Sequence, residues 1–296
     1  MVEGTGGRNV INTKIKGSTC LYAVIGDPIS HSISPELHNQ IFERMGVNKA
    51  YIPIRIRPQD LQNGIPLLRD NIKGFNVTIP HKQEIMKYLD DLDERARAYG
   101  AVNTVKIEDG KLKGYNTDGL GFMMSLEREN IDLEHKRILL AGAGGSARVV
   151  AYELLHKGCS LTIANRSEKR GQQLAAELEK STGSGKVKSC RIEDIQPGYD
   201  IIINATPVGM HPFIDEMPIK EELLEGASLV YDLVYNPDQT KLLRTAAEKR
   251  IKTINGFPML FYQAIKAQEI WLGETLRDDI TDGVFIEMKE YLLKKR

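Results

Sequence analysis

Arg137-Ile138-Leu139-Leu140-Ala141-Gly142-Ala143-Gly144-Gly145-Ser146-Ala147 is the stretch that decides how this chain folds. A short apolar run enters a glycine cluster, and a helical pattern follows over 145–156. A lone GxGxxG signature says little. Here Gly142-x-Gly144-x-x-Ala147 stands between a strand and a helix, which is the setting a dinucleotide-binding turn requires. Gly142 permits the tight turn, Gly144 lets backbone approach a pyrophosphate, and Ala147 is small enough for close helix–strand packing. Free N–H groups at the helix start then face the phosphates. The plain alternative, a tight turn with no ligand, does not account for the flanking pattern.

Downstream, a strand over 160–164 ends at Asn165-Arg166-Ser167, and a helix follows over 167–180. A site for NAD usually places an acidic residue here, about 20 residues past the turn, on the ribose 2′-hydroxyl. This chain offers Asn165 and Arg166, with Lys169 and Arg170 close behind. Such groups suit a 2′-phosphate through charge-assisted bonds, so NADP(H) is the expected cofactor. Lys169 and Arg170 also fit a solvated helix face, and Arg166 carries most of the inference. Further strands are expected over 200–204 and 228–233, a loop over 181–185, a helix over 239–250, a short apolar run over 252–254, and helices over 257–273 and 279–294.

Upstream, strands over 21–25, 50–56 and 75–79 alternate with helices over 34–45 and 58–69, the order of parallel α/β structure. Ser34 is expected as N-cap of the first helix, with Pro35 at its first position and Gly46 past its end. Pro80 is expected to begin a third helix. Asp109-Gly110, between two alternating runs over 102–115, reads as a hairpin turn. A helical pattern from 119 to 131 leads into the nucleotide-binding half.

The 296 residues suffice for two cores. Apolar and charged fractions of 41% and 27% are those of ordinary globular chains. Lys+Arg and Asp+Glu balance at 40 each, which offers nothing to nucleic acid or an anionic membrane. The expected partner is therefore a small-molecule substrate, the protein being a monomer or homodimer. No apolar run approaches the length of a membrane span. Cys20, Cys159 and Cys190 are widely spaced and form no metal or CxxC pattern. They read as reduced thiols in a cytoplasmic protein. Residues 1–17, polar and glycine-rich, read as a flexible N-terminal extension.

Three polar clusters precede the glycine turn: Ser32-Ile33-Ser34-Pro35, Asn76-Val77-Thr78-Ile79-Pro80-His81-Lys82 and Asn116-Thr117-Asp118-Gly119. Ser32 and Ser34 beside a helix start suit a carboxylate, and equally suit capping. Lys82 falls in the first turn of the helix expected at Pro80, facing the positive end of its dipole. It reads as an acid–base lysine or as a surface lysine. Asp118 is its leading candidate partner, although Asn116-Thr117-Asp118 is also a good helix-start signal. Thr78 and Asn103 could add hydroxyl and amide contacts. His31, His38 and His81 show no metal spacing, and no metal is expected.

Taken together, these segments resemble the shikimate dehydrogenase family. The resemblance runs from about residue 21 to the C-terminal helix. It rests on Ser-x-Ser-Pro at 32–35, Asn-Val-Thr-x-Pro-x-Lys at 76–82, Ala-Val-Asn-Thr at 101–104, Asn-Thr-Asp-Gly at 116–119, the glycine turn, Asn-Arg-Ser at 165–167 and Tyr-Asp-x-x-Tyr at 231–235. It implies two α/β domains flanking a cleft: an N-terminal substrate-binding domain (18–118 plus 256–296) and a Rossmann-type NADP-binding domain (119–255). The activity implied is reversible NADPH-dependent reduction of 3-dehydroshikimate to shikimate in aromatic amino-acid (chorismate) biosynthesis. By the same resemblance Ser32 and Ser34 hold the substrate carboxylate, Thr78, Asn103 and Gln263 its ring hydroxyls, and Tyr235 lines the substrate side. Lys82 and Asp118 form the catalytic pair. Gly142, Ala143, Gly144, Gly145, Ser146 and Ala147 bind pyrophosphate; Asn165, Arg166, Ser167 and Arg170 bind the adenosine phosphate; Thr206, Leu233, Gly256 and Met259 approach ribose or nicotinamide. Ser167 stands where the family often has threonine, and Leu233 where it often has methionine. The alternatives are a quinate/shikimate dehydrogenase using NAD as well as NADP, and a non-catalytic metabolite sensor on the same scaffold. A sensor would be expected to carry a basic segment or to lack Lys82 or Asp118.

Overall fold

The computed structural model describes residues 15–294 and holds two six-stranded sheets. The expected flexible extension over 1–17 lies mostly outside the described residues.

The first sheet has the order β2-β1-β3-β5-β6-β4. Strands β1 (Cys20–Gly26), β2 (Lys49–Arg55) and β3 (Gly74–Val77) are parallel. Strands β5 (Thr104–Glu108) and β6 (Lys111–Tyr115) join antiparallel, and the two-residue β4 (Asp91–Leu92) pairs with β6. The turn between β5 and β6 has Asp109 at φ 51° and Gly110 at φ 73°, the left-handed pair that a type I′ hairpin demands. Successive β1 side chains point to opposite faces. Ala23 and Ile25 meet Phe75, Val77 and the helix α2 (Leu61–Asn71), while Tyr22 and Val24 meet Phe42 and Trp271. Trp271 lies flat enough on Gly74 to donate Nε1–H to Val105 O at 2.9 Å; any Cβ at Gly74 would collide with its ring.

The second sheet is wholly parallel, in the order β12-β11-β10-β7-β8-β9. Its strands are β7 (Arg137–Ala141), β8 (Ser160–Asn165), β9 (Val187–Arg191), β10 (Ile201–Asn204), β11 (Leu229–Asp232) and β12 (Lys252–Ile254). Helices α5 (Gly145–His156) and α6 (Glu168–Thr182) cover one face and α7 (Lys241–Glu248) the other. Burial on both faces explains why the central strands read as continuous apolar runs. Strand order reverses at β7, so β7 and β10 flank the switch point where such sheets take ligands.

Helices α4 (Asp118–Arg128) and α8 (Phe257–Leu272) join the two lobes. Gly121 makes their close approach possible, since a Cβ there would stand 2.6 Å from Met259 O. Phe122, Met123 and Leu126 of α4 belong to the core under α5, whereas Phe257, Phe261 and Ile265 of α8 pack with α1 (Ser34–Met45) and α9 (Asp278–Lys294). A second bridge joins the short helix α3 (Glu94–Tyr99) to α5: Arg95 Nε lies 3.1 Å from buried Glu153 Oε1, which also accepts from Tyr99 Oη.

Several expectations need correction. No α-helix begins at Pro80. Residues 80–83 form turns before a 3₁₀ segment over Glu84–Tyr88. Lys82 O accepts from Val102 N at 2.7 Å, so a tertiary contact takes the carbonyl that a helix would need. The first helix does begin at Ser34, but its N-cap is Ile33, and Ser34 N donates to Ser32 Oγ at 3.3 Å. The helix expected over 58–69 is a 3₁₀ turn (Pro58–Asp60) followed by α2. Helix α6 runs through 181–182, residues expected to be loop. Strands β4 and β9 and helix α3 were not foreseen.

Candidate active site

The first sheet's strand ends build one wall of a cavity of about 310 Å³. Thr78 follows β3, Asn103 precedes β5, and Asn116 to Asp118 follow β6. Backbone bonds hold these ends together: Val77 N donates to Asn103 O at 2.8 Å and Asn103 N to Tyr115 O at 3.0 Å. Ser32 and Ser34 line the cavity beside the start of α1, Tyr235 enters from the loop after β11, and Gln263 comes from α8. All eight residues expected on the substrate side thus line one cavity. It also takes in Asn76, Ile29 and Leu260, which the sequence reading did not single out as site residues. A neighbouring cavity of about 380 Å³ shares His31, Ile33 and Tyr235 but lacks Lys82 and Asp118.

Lys82 Nζ lies 2.6 Å from Asp118 Oδ2, though 36 residues separate them in sequence. Their side chains are 32% and 18% exposed, so both are shielded yet reachable. Asp118 is held at three points: Oδ2 by Lys82, Oδ1 by Asn103 Nδ2 at 2.7 Å, and its backbone N by Asn116 Oδ1 at 3.0 Å. An ammonium has three donors, so two remain beyond the bond to Asp118.

A third cavity, of about 420 Å³, is lined by Thr78, Lys82 and Asp118 together with Asn116, Gly145, Ser146 and Arg148. The lysine–carboxylate pair therefore stands on a wall common to the polar pocket and the glycine-turn side of the cleft. Arg148, in the first turn of α5 and ion-paired with Glu177, was not foreseen there.

At the glycine turn Gly142 has φ +113°, which only glycine adopts freely. Gly144 caps α5, and Cβ positions built at Gly144 and Gly145 meet nothing within 4 Å. The backbone there is open to a close-lying group, while Ala147 is fully buried in the core. These features fit a pyrophosphate. Beyond β8, Asn165 Nδ2 bonds Ser167 O at 2.9 Å and shapes the turn; Arg166 and Ser167 on it, and Arg170 in the first turn of α6, are exposed. This fits a 2′-phosphate. Thr206 is fixed through Oγ1 to Asn204 Oδ1 at 2.7 Å. Leu233 and Met259 pack at the edge of the core beneath the turn, and Gly256 has no room for a Cβ because Leu233 O lies against it.

Buried Asp232 organises the loops at the β10 and β11 ends. It accepts from Asn204 Nδ2 at 2.8 Å, Val234 N at 3.0 Å and Thr240 Oγ1 at 2.6 Å. Burial pushes its carboxyl up to about 6, against the pull of those three donors. His38, behind the pocket, is stacked on Tyr51 at 4.2 Å and pushed down to about 3 by burial. His81 contacts Ile56 O at 2.6 Å through Nε2. Among the described residues no cluster of three His, Cys, Asp or Glu could hold a metal, and no helix is long and apolar enough to cross a membrane.

A dinucleotide turn facing a polar pocket across a shared lysine–carboxylate pair is the arrangement of a nicotinamide-dependent dehydrogenase. Residues 24–105 match the family described as the shikimate dehydrogenase substrate binding domain, and residues 125–238 match shikimate / quinate 5-dehydrogenase. Shikimate dehydrogenase (NADP(+)) of Methanocaldococcus jannaschii is 46% identical over 283 residues, spanning 91% of this chain and 99% of that protein. A crystal structure of a shikimate dehydrogenase in complex with NADP+ superposes with a TM-score of 0.87 at 44% identity, covering 93% of this chain and 97% of the other. A shikimate 5-dehydrogenase from Listeria monocytogenes, in complex with shikimate and NAD, gives 0.83 at 34% identity and covers 92% and 98%. The chain belongs to the shikimate dehydrogenase family.

Proposed function

We propose that this protein is an NADP-dependent oxidoreductase that reversibly reduces 3-dehydroshikimate to shikimate in aromatic amino-acid biosynthesis. The observation that carries this reading is the Lys82–Asp118 pair, bonded at 2.6 Å on the wall shared by the two cavities. We divide the chain accordingly into a substrate lobe (18–118 with 256–296) and a nucleotide lobe (119–255). It acts in the cytoplasm, where its free thiols stay reduced, as a monomer or homodimer.

Reduction of a ketone adds hydride at carbon and a proton at oxygen. When bound, NADPH supplies the hydride. Lys82 donates the proton from Nζ to the carbonyl oxygen as charge builds there, and in the reverse direction takes it from the hydroxyl. Asp118 keeps the ammonium aimed at that oxygen. Ser32 and Ser34, at the N-terminus of α1, hold the ring carboxylate, a fitting place for an anion. Thr78, Asn103 and Gln263 fix the ring hydroxyls, and Tyr235 closes the substrate side. Gly142 to Ala147 receive the pyrophosphate, Asn165, Arg166, Ser167 and Arg170 the 2′-phosphate, and Thr206, Leu233, Gly256 and Met259 the ribose and nicotinamide. Holding both reactants in one cleft makes the step effectively unimolecular.

The test follows NADPH absorbance with 3-dehydroshikimate, and the reverse reaction with shikimate and quinate under each oxidised cofactor. Turnover of 3-dehydroshikimate with NADPH is expected, with kcat/KM for NADP+ well above that for NAD+. No turnover would refute the function. A dual-substrate reading has one observation behind it, the naming of quinate in the family matched by 125–238. Comparable kcat/KM for quinate would favour it.

A further inference from the structure

We infer that the Thr104 hydroxyl is a positioning group for this reaction, locking the Asn103 side-chain amide so that its N–H end stays on Asp118. The inference rests on the role proposed above for the Lys82–Asp118 pair. The two ends of an asparagine amide have nearly the same shape, so hydrogen bonding alone decides which end points where. Asn103 Oδ1 accepts from Thr117 N at 2.8 Å and from Thr104 Oγ1 at 2.8 Å. Nδ2 is thereby left facing Asp118 Oδ1 at 2.7 Å.

Thr104 Oγ1 gives its one proton to Asn103 Oδ1 at 2.8 Å, a nearer acceptor than Thr117 Oγ1 at 3.3 Å, and itself accepts from Asn76 Nδ2 at 3.0 Å. Asn76 is oriented in turn by Tyr51 Oη, which donates to Asn76 Oδ1 at 2.6 Å. Donors thus run one way, from Tyr51 through Asn76, Thr104 and Asn103 to the carboxylate, and each bond polarises the next. Thr104 is fully buried and lines neither cavity. Its influence on the reaction therefore passes through its neighbours. Two other acceptors lie within reach of Asn103 Nδ2: Thr117 Oγ1 at 3.1 Å and Gln263 Oε1 at 3.4 Å. With the Thr104 donor gone, the amide pivots about its remaining bond to Thr117 N, tilts toward them and lengthens its bond to Asp118, whose grip on Lys82 loosens.

The test compares Thr104→Val and Thr104→Ser with the unaltered protein. Valine keeps the β-branched shape on β5 and orphans no neighbour, since Asn76 Nδ2 retains Asn103 O at 3.1 Å and Asn103 Oδ1 retains Thr117 N. Two quantities are read: kcat and KM for 3-dehydroshikimate, and the ¹⁵N–¹H resonance of the Asn103 side-chain amide in ligand-free protein, assigned by its loss in Asn103→Asp. Thr104→Val is expected to lower kcat about 10-fold or more while KM moves less than about threefold. Thr104→Ser is expected to restore kcat to within about threefold. The amide proton facing Asp118 should shift upfield in the valine variant only. An unmoved amide resonance in Thr104→Val, or an equal loss of kcat in Thr104→Ser, overturns the inference. The amide resonance needs no turnover, so absent activity in the unaltered protein would sink the proposed function while the lock is still decided by the spectrum.

Discussion

At the substrate end of the cleft, polar side chains are held by one another; at the adenosine end they are held out to solvent. Asn76, Asn103, Thr104 and Thr117 are buried and cross-bonded, and the network terminates on Asp118 and Lys82. Arg166 and Ser167, on a turn shaped by a single Asn165 bond, and Arg170, in the first turn of α6, are exposed. The first arrangement spends its ordering cost on folding, so the groups are in place before substrate arrives. The second leaves guanidinium groups that the proposed 2′-phosphate would engage through its own charge. Chemistry needs fixed geometry, whereas choosing between two cofactors that differ by a phosphate needs only a difference in charge attraction.

The largest effect that could break this contrast lies at Lys82. Lys82→Ala removes the proposed proton donor, and kcat is expected to fall about 10³-fold, with the melting temperature and shikimate affinity close to those of the unaltered protein. Turnover within tenfold of the original would show that the fixed end of the cleft is not where the chemistry is done. A smaller effect is expected at the other end. Arg166→Ala should weaken NADP+ binding about 10- to 100-fold, the worth of one or two charge-assisted bonds, and leave NAD+ nearly untouched. Titration calorimetry with both cofactors reads this directly. NADP+ affinity should also fall as salt rises, because exposed charges are screened within about 10 Å at 0.1 M. Equal losses for the two cofactors would assign Arg166 to the shared part of the molecule rather than to the 2′-phosphate.

The same contrast explains what could be read from sequence. The glycine turn was legible because its meaning is local: β7 and α5 occupy the ranges that the apolar run and the helical pattern mark. The Asp109-Gly110 hairpin was legible for the same reason. Pro80 misled because Lys82 O is captured by Val102, a contact that no window around Pro80 contains. Strand β9, Val-Lys-Ser-Cys-Arg at the sheet edge, lacks the apolar run of its buried neighbours. Helix α3 did carry a signal, Asp93 accepting from Ala96 N and Gly100 in the left-handed region at its end, but its six residues are too few for a visible period. In the pocket, Lys82 and Asp118 stood out by chemical type. Thr104, behind the pocket, did not, because the positioning role inferred for it comes from lying opposite Asn76 across β3 and β5, and that register exists only once the sheet has formed.

Asp232 offers the smallest and sharpest test, because it belongs to the fixed kind of site yet stands in the nucleotide lobe. Its carboxyl is buried and raised from 3.8 to about 6, so between those values the folded protein holds a proton that the unfolded chain has released. Stability from this group is therefore full below pH 3.8 and is lost as pH rises through 6. From pH 5 to pH 7 the loss is about 1 kcal/mol. Asp232→Asn cannot ionise. Its carbonyl end can keep Asn204 Nδ2 and Val234 N, and its amide end can donate to a reoriented Thr240 hydroxyl. Urea unfolding of both proteins at pH 5 and pH 7 should show the stability of the unaltered protein, relative to the variant, falling by that amount. A difference independent of pH would mean that Asp232 is ionised in both states and that its three donors outweigh its burial. The loop carrying Leu233 and Tyr235 would then be pinned by a charge instead of by a proton-sharing carboxyl.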